Sequence, residues 1–169
     1  MEANVKLYSL GLNQTRTYLF ALLFVAGNVV LPQLCHLIPQ GGLILLPIYF
    51  FTLVGAYKFG LRVGLLIAVL SPVANHLLFD MPAAGVLPIL LVKSTLLAVA
   101  AAWVARRYGR VTIPLLLLVV LSYQVLGGLV EWVMTGSLVA AVQDFRLGLP
   151  GLVVQVLGGY AVLRWLMKK

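Results

Sequence analysis

Acidic side chains are nearly absent: 4 Asp and Glu occur in 169 residues, and charged residues of both signs reach only 9%. A water-soluble domain carries about a quarter of its residues charged, so that class is excluded. Cys35 is the only cysteine, which excludes an intrachain disulfide and a thiolate metal cluster and leaves it as a small apolar residue in a helix. No G-x-x-x-x-G-K-[ST] loop occurs, so ATP hydrolysis by a phosphate-cradling loop is excluded. H-E-x-x-H and G-x-S-x-G are also missing, which removes the simplest metal-dependent and serine hydrolases. The chain reads as no enzyme, with no cofactor and no metal site. It has no low-complexity segment and no internal repeat.

What is present is apolar. Hydrophobic residues make up 63% and mean hydropathy is +1.10, more than one soluble core of this length could bury. The bilayer must be the solvent, and an all-α membrane bundle follows, because only helices or closed barrels satisfy backbone polar groups there. Six apolar runs, bounded by charges, Pro and Gly, predict spans at residues 17–37, 41–57, 61–79, 86–105, 113–133 and 149–166. The whole chain, residues 1–169, then forms one transmembrane domain. The first sixteen residues are polar, and the run after them is too long for a signal-peptide core and lacks an A-x-A site, so it reads as a retained span. The second run is short. Pro39, Gly41, Gly42 and Pro47 around it predict a tight connection, or a dip into the membrane where protein rather than lipid surrounds the backbone.

The cations give the bundle a direction. In a soluble protein a net charge of +8 would point to nucleic acid; here Lys and Arg fall between apolar runs, so nucleic acid is not an expected partner. Lys6 and Arg16 precede the first span; Lys58 and Arg62 separate the second and third; Arg106, Arg107 and Arg110 separate the fourth and fifth; Arg164, Lys168 and Lys169 end the chain. The other connections carry only Asp80, Asp144 and Arg146 as formal charges. The positive-inside rule therefore predicts that both termini and the basic loops are cytoplasmic.

With direction known, the polar residues inside spans fall at similar depths. Gln33 and His36 end the first span, Asn75 and His76 the third, and Lys93 lies about two turns below the outer start of the fourth. Glu131 ends the fifth span, and Gln155 lies about two turns into the sixth. The inner halves are almost purely apolar. Polar groups converging above an apolar plug describe a capture site for an extracellular solute. Lys93 has three readings: snorkelling to headgroups, pairing with Glu131, or binding an anionic ligand group. Glu131 and Trp132 can also be read as boundary residues. His36 and His76 stand at no metal-ligand spacing and read as hydrogen-bonded structure. Small residues recur at four-residue intervals: Gly60, Gly64, Ala68 on the third span and Ser94, Ala98, Ala102 on the fourth. Such stripes let helices approach closely in lipid, either inside the monomer or against a partner membrane protein.

The stretch at residues 47–94, PIYFFTLVGAYKFGLRVGLLIAVLSPVANHLLFDMPAAGVLPILLVKS, together with length and topology, resembles the substrate-binding S components of energy-coupling factor (ECF) transporters. The resemblance implies capture of a vitamin or related micronutrient at the outside of a bacterial cytoplasmic membrane. It also implies that a membrane-embedded energising subunit and cytoplasmic ATPases supply the energy. In that family the site is formed by the first connection and the outer helix ends, positions held here by Gln33, His36, Asn75, His76, Lys93, Glu131 and Gln155. The family's docking surface typically uses alanines four apart in the first helix. Here Ala21 and Ala26 are five apart and Gly27 follows Leu23 by four, so Gly60, Gly64 and Ala68 are the substitute docking stripe. Two rivals stand beside this reading: a structural scaffold like the small multispan proteins of the bacterial cell-shape machinery, and a small membrane enzyme using His and acidic groups. The expected ligand is a small polar solute carrying a carboxylate or a zwitterion, with Phe79 and Trp132 as neighbours for a ring.

Overall fold

The computed structural model describes residues 10–167. It is all-helical, in the order α1 (Thr15–Cys35), α2 (Gly41–Leu45), a 3₁₀ turn (Pro47–Tyr49), α3 (Phe50–Phe59), α4 (Leu61–Phe79) and α5 (Leu87–Tyr108), then α6 (Ile113–Thr135), α7 (Leu138–Ala141), α8 (Gln143–Arg146) and α9 (Leu149–Met167). Five helices, α1, α4, α5, α6 and α9, are long and apolar enough to cross a membrane, which makes this a multi-pass membrane protein. The outward faces of these helices carry exposed Leu22, Leu23, Leu118, Leu121, Val125 and Leu157, a surface suited to lipid. Of the residues that oriented the chain, Lys6, Lys168 and Lys169 lie outside the described residues.

The short second run, residues 41–57, is two helices with a break between them. Pro47 has no N–H and disfavours helical geometry in the residue before it. Leu46 leaves the helix in the left-handed conformation, φ 46°, and the chain turns through Pro47–Tyr49 into α3. Every α3 residue from Thr52 to Phe59 is buried, because α1, α4, α5 and α9 surround it. From Thr52 onward this half-helix is shielded by its neighbours, the condition under which interrupted backbone is tolerated at membrane depth. Its first turn is capped from α1: the Phe51 N–H donates to Asn28 Oδ1 at 3.2 Å. Asn28 Nδ2 in turn donates to Thr52 Oγ1 at 3.1 Å and Ser71 Oγ at 3.2 Å, tying α1, α3 and α4 together. Lys58 belongs to the last turn of α3 rather than to a connection; the α3–α4 joint is Gly60 alone, at φ 90°.

Two contacts identify one end of the bundle. Tyr57 Oη donates to the Arg110 carbonyl at 2.7 Å, and Gly11 approaches Arg62 so closely that a Cβ there would stand 3.3 Å from Nη1. The start of α1, the α3–α4 joint and the α5–α6 connection therefore share an end, with Arg16, Arg62, Arg106, Arg107 and Arg110. Arg164, in the last turn of α9, belongs to the same end, because α9 begins at the opposite one: Gly151 abuts the Leu45 and Ile44 carbonyls at the end of α2. The basic half is solid. Leu53, Val54, Val63, Ile67, Leu97, Ala98, Ala101, Leu116, Val119 and Val120 all have 0% exposure.

Candidate functional site

A cavity of about 540 Å³ occupies the other half, within the size range of small-molecule sites. Its wall takes residues from the ends of α1 and α4, from α2 and the Leu46–Tyr49 break, from the 81–86 connection, from the start of α5, and from α6, α7 and α8. Four of the sequence-derived candidates meet there: His36, Asn75, Lys93 and Glu131. Three do not. Gln33 is outside the lining, and its buried Nε2 has no partner among the described residues. His76 turns to the connection after α4, where Nδ1 donates to the Pro82 carbonyl at 2.7 Å. Gln155 lies behind the wall and accepts from Tyr123 Oη at 2.9 Å; the Tyr123 ring packs 5.2 Å from that of Tyr49, which does line the cavity.

The chemical centre is Lys93. Its ammonium donates to Glu131 Oε2 at 2.5 Å and to Asp144 Oδ2 at 2.9 Å. The Lys93 side chain is 3% exposed and each carboxylate 15%, so of the three readings of Lys93 snorkelling is excluded and pairing holds. Gly127 makes the pairing possible, since a Cβ there would stand 2.6 Å from Lys93 Cγ. Glu131 is one helical turn further along the same face, so the lysine stem crosses α6 at the glycine and delivers its charge to the carboxylate. Above Glu131, Thr135 is also in the wall.

Asp144 is the residue that sequence reasoning placed in an outer connection rather than in the site. The connection after α6 does not leave the bundle; it folds back as α7 and α8. Ser137 caps α7 by accepting from the Ala140 N–H at 3.2 Å, and Gly128 admits α7 closely, a Cβ there standing 3.1 Å from the Ala141 carbonyl oxygen. The visible signal was the apolar run Leu138, Val139, Ala140, Ala141, Val142, which a solvated loop has no reason to carry. Tyr49, Gln40 and Gln143 are further wall residues not singled out beforehand. Asn75 has a fixed amide orientation: Nδ2 donates to the Asn28 and Ser71 carbonyls, each at 2.9 Å, and Oδ1 has no partner among the described residues.

Of the stripe Gly60, Gly64 and Ala68, the last two pack inward rather than facing outward. A Cβ at Gly64 would stand 2.5 Å from Ala56 Cβ and 3.3 Å from Ala98 Cβ, and Ala68 has 0% exposure. The four-residue spacing serves contact within the chain, with the α4 stripe against α3 and the matching stripe of α5. No family model, curated protein or solved structure matches this chain.

Proposed function

We propose that this chain is the membrane-embedded substrate-capture subunit of an ECF-type importer, taking up a vitamin or related micronutrient at the outer face of a bacterial cytoplasmic membrane. In this reading the broken run α2–α3 makes a sixth crossing, both termini are cytoplasmic, and the cavity opens outward. The observation that carries the reading is a cavity with a buried ion cluster in the half opposite the basic residues, above solid apolar packing. A dead-ended pocket captures a solute but cannot conduct it. Release inward then requires movement driven from outside the chain, which fits an energising transmembrane subunit and cytoplasmic ATPases and the missing phosphate-binding loop. The subunit itself performs no chemistry. A cell-shape scaffold has no use for such a cavity, and a membrane enzyme would need a nucleophile or a set of metal ligands within mutual reach.

Native mass spectrometry of the protein purified in mild detergent tests the proposal. The expected result is a small molecule retained without a covalent bond, and re-binding of that molecule to stripped protein. No retained molecule, together with no binding across a panel of vitamins at millimolar concentration, overturns capture and favours the scaffold.

A further inference from the structure

Charge in the cavity does not balance. Lys93 is the only formal cation in its wall, against two carboxylates, Glu131 and Asp144. One oxygen of each carboxylate is taken by the ammonium; Glu131 Oε1 and Asp144 Oδ1 make no hydrogen bond among the described residues. Asn75 Oδ1 is a third acceptor without a partner, on a side chain only 2% exposed. A negative charge left over on carboxylates only 15% exposed, in a mostly apolar cavity, is costly unless something compensates it. An anionic solute would double the imbalance and compete with two carboxylates already holding Lys93. A divalent metal ion is no better suited: among the described residues no group of three or more His, Cys, Asp and Glu side chains is placed to hold one.

We infer that the captured molecule is an organic cation rich in hydrogen-bond donors: a protonated amine, an amidine or a cationic nitrogen heterocycle on an apolar body. This rests on the capture reading above. The cationic group sits against Glu131 and Asp144 and brings the cluster to neutrality. Ile48, Ile89 and Leu90 take the apolar body, and the Tyr49 ring in the same wall adds a π face that favours a cation. The expected carboxylate-bearing or zwitterionic solute is thereby replaced by a cation.

Three molecules of one shape test the charge directly: benzamidine, benzamide and benzoate, positive, neutral and negative. Each is added at millimolar concentration to the full-length protein in lipid nanodiscs, and the thermal unfolding midpoint is followed. Benzamidine is expected to raise the midpoint in a concentration-dependent manner and benzoate to leave it unchanged. Glu131→Gln and Asp144→Asn, each nearly isosteric, should each weaken the benzamidine response about tenfold, the scale of one charge-assisted hydrogen bond. A response to benzoate equal to or above that to benzamidine overturns the cation and leaves capture standing. A benzamidine response unchanged in both variants removes these carboxylates from the site and overturns the inference. Silence from all three probes, with no retained molecule in the native spectra, overturns the inference together with the capture reading.

Discussion

The two halves of this bundle are built from the same five long helices and obey opposite rules. In the basic half, α3, α4, α5 and α6 meet mainly through Leu, Val, Ile and Ala, with Tyr57 and Lys58 as buried polar side chains near the end of α3. In the other half the same α5 and α6 line a cavity, with Lys93 buried and two carboxylates half-buried beside it. The difference lies in where small residues stand. Gly64 and Ala98 bring backbones together in the basic half, whereas Gly127 makes room for a lysine stem in the other. Glycine therefore does two jobs here, close helix contact and passage for a side chain, and only neighbours in space tell which. The Asn28 cluster, joining α1, α3 and α4, holds the start of the broken helix at the boundary between the two regimes.

Substitutions can break that contrast, and the largest effect belongs to Lys93. Lys93→Ala leaves two carboxylates facing each other without their ammonium, and is expected to destabilise the protein by about 3 kcal/mol or more. Lys93→Ala combined with Glu131→Gln should recover most of that loss in thermal unfolding, because the repulsion goes with the charge. If the single variant is as stable as the parent, the cluster is solvated rather than buried.

Next in size, Gly64→Leu forces α3 and α4 apart against the Ala56 backbone, whose Cα lies 2.9 Å from the position of a Cβ. A loss of about 1–3 kcal/mol is expected from overpacking, with elution on size exclusion unchanged. A selective loss of partner association without loss of stability would instead return this stripe to a docking role. Asn28→Leu strands the Phe51 N–H and removes the donor to the Thr52 and Ser71 hydroxyls, and should cost about 1–2 kcal/mol. Hydrogen exchange in α3 reads this locally; protection unaltered at Phe51 would mean another group caps the half-helix. The smallest change in stability is expected for His36→Ala. His36 is exposed, over Gly42, at the mouth of the cavity, so stability should move by no more than about 0.5 kcal/mol while retention of the captured molecule in native spectra changes. Unchanged retention would remove His36 from the site.

Helix ends were legible along most of the chain. The run at 61–79 coincides with α4, and Thr112 before α6 with Pro114 in its first turn, and Gly109 after α5, mark ends by local chemistry alone. Pro47 was visible as a mark of a tight connection or a dip, but the sequence does not say that the half-helix after it is surrounded by four helices. Lys93 and Glu131 were legible as candidates because charge within an apolar run is exceptional. Gln33, His76 and Gln155 passed the same test of depth and missed the cavity, since depth along a helix says nothing about rotation around its axis.

That limit has a physical cause. In water, the polar face of a helix marks the direction of the core; in lipid both faces are apolar, and periodicity no longer reports which one turns inward. The amino-acid sequence therefore determined the membrane as solvent, the long helices, their ends and the gathering of cations at one end, all of which depend on local transfer free energy. Packing alone decided that Lys93, Glu131 and Asp144 meet, that the connection after α6 folds back over them, and that the glycine stripe of α4 closes on its own neighbours.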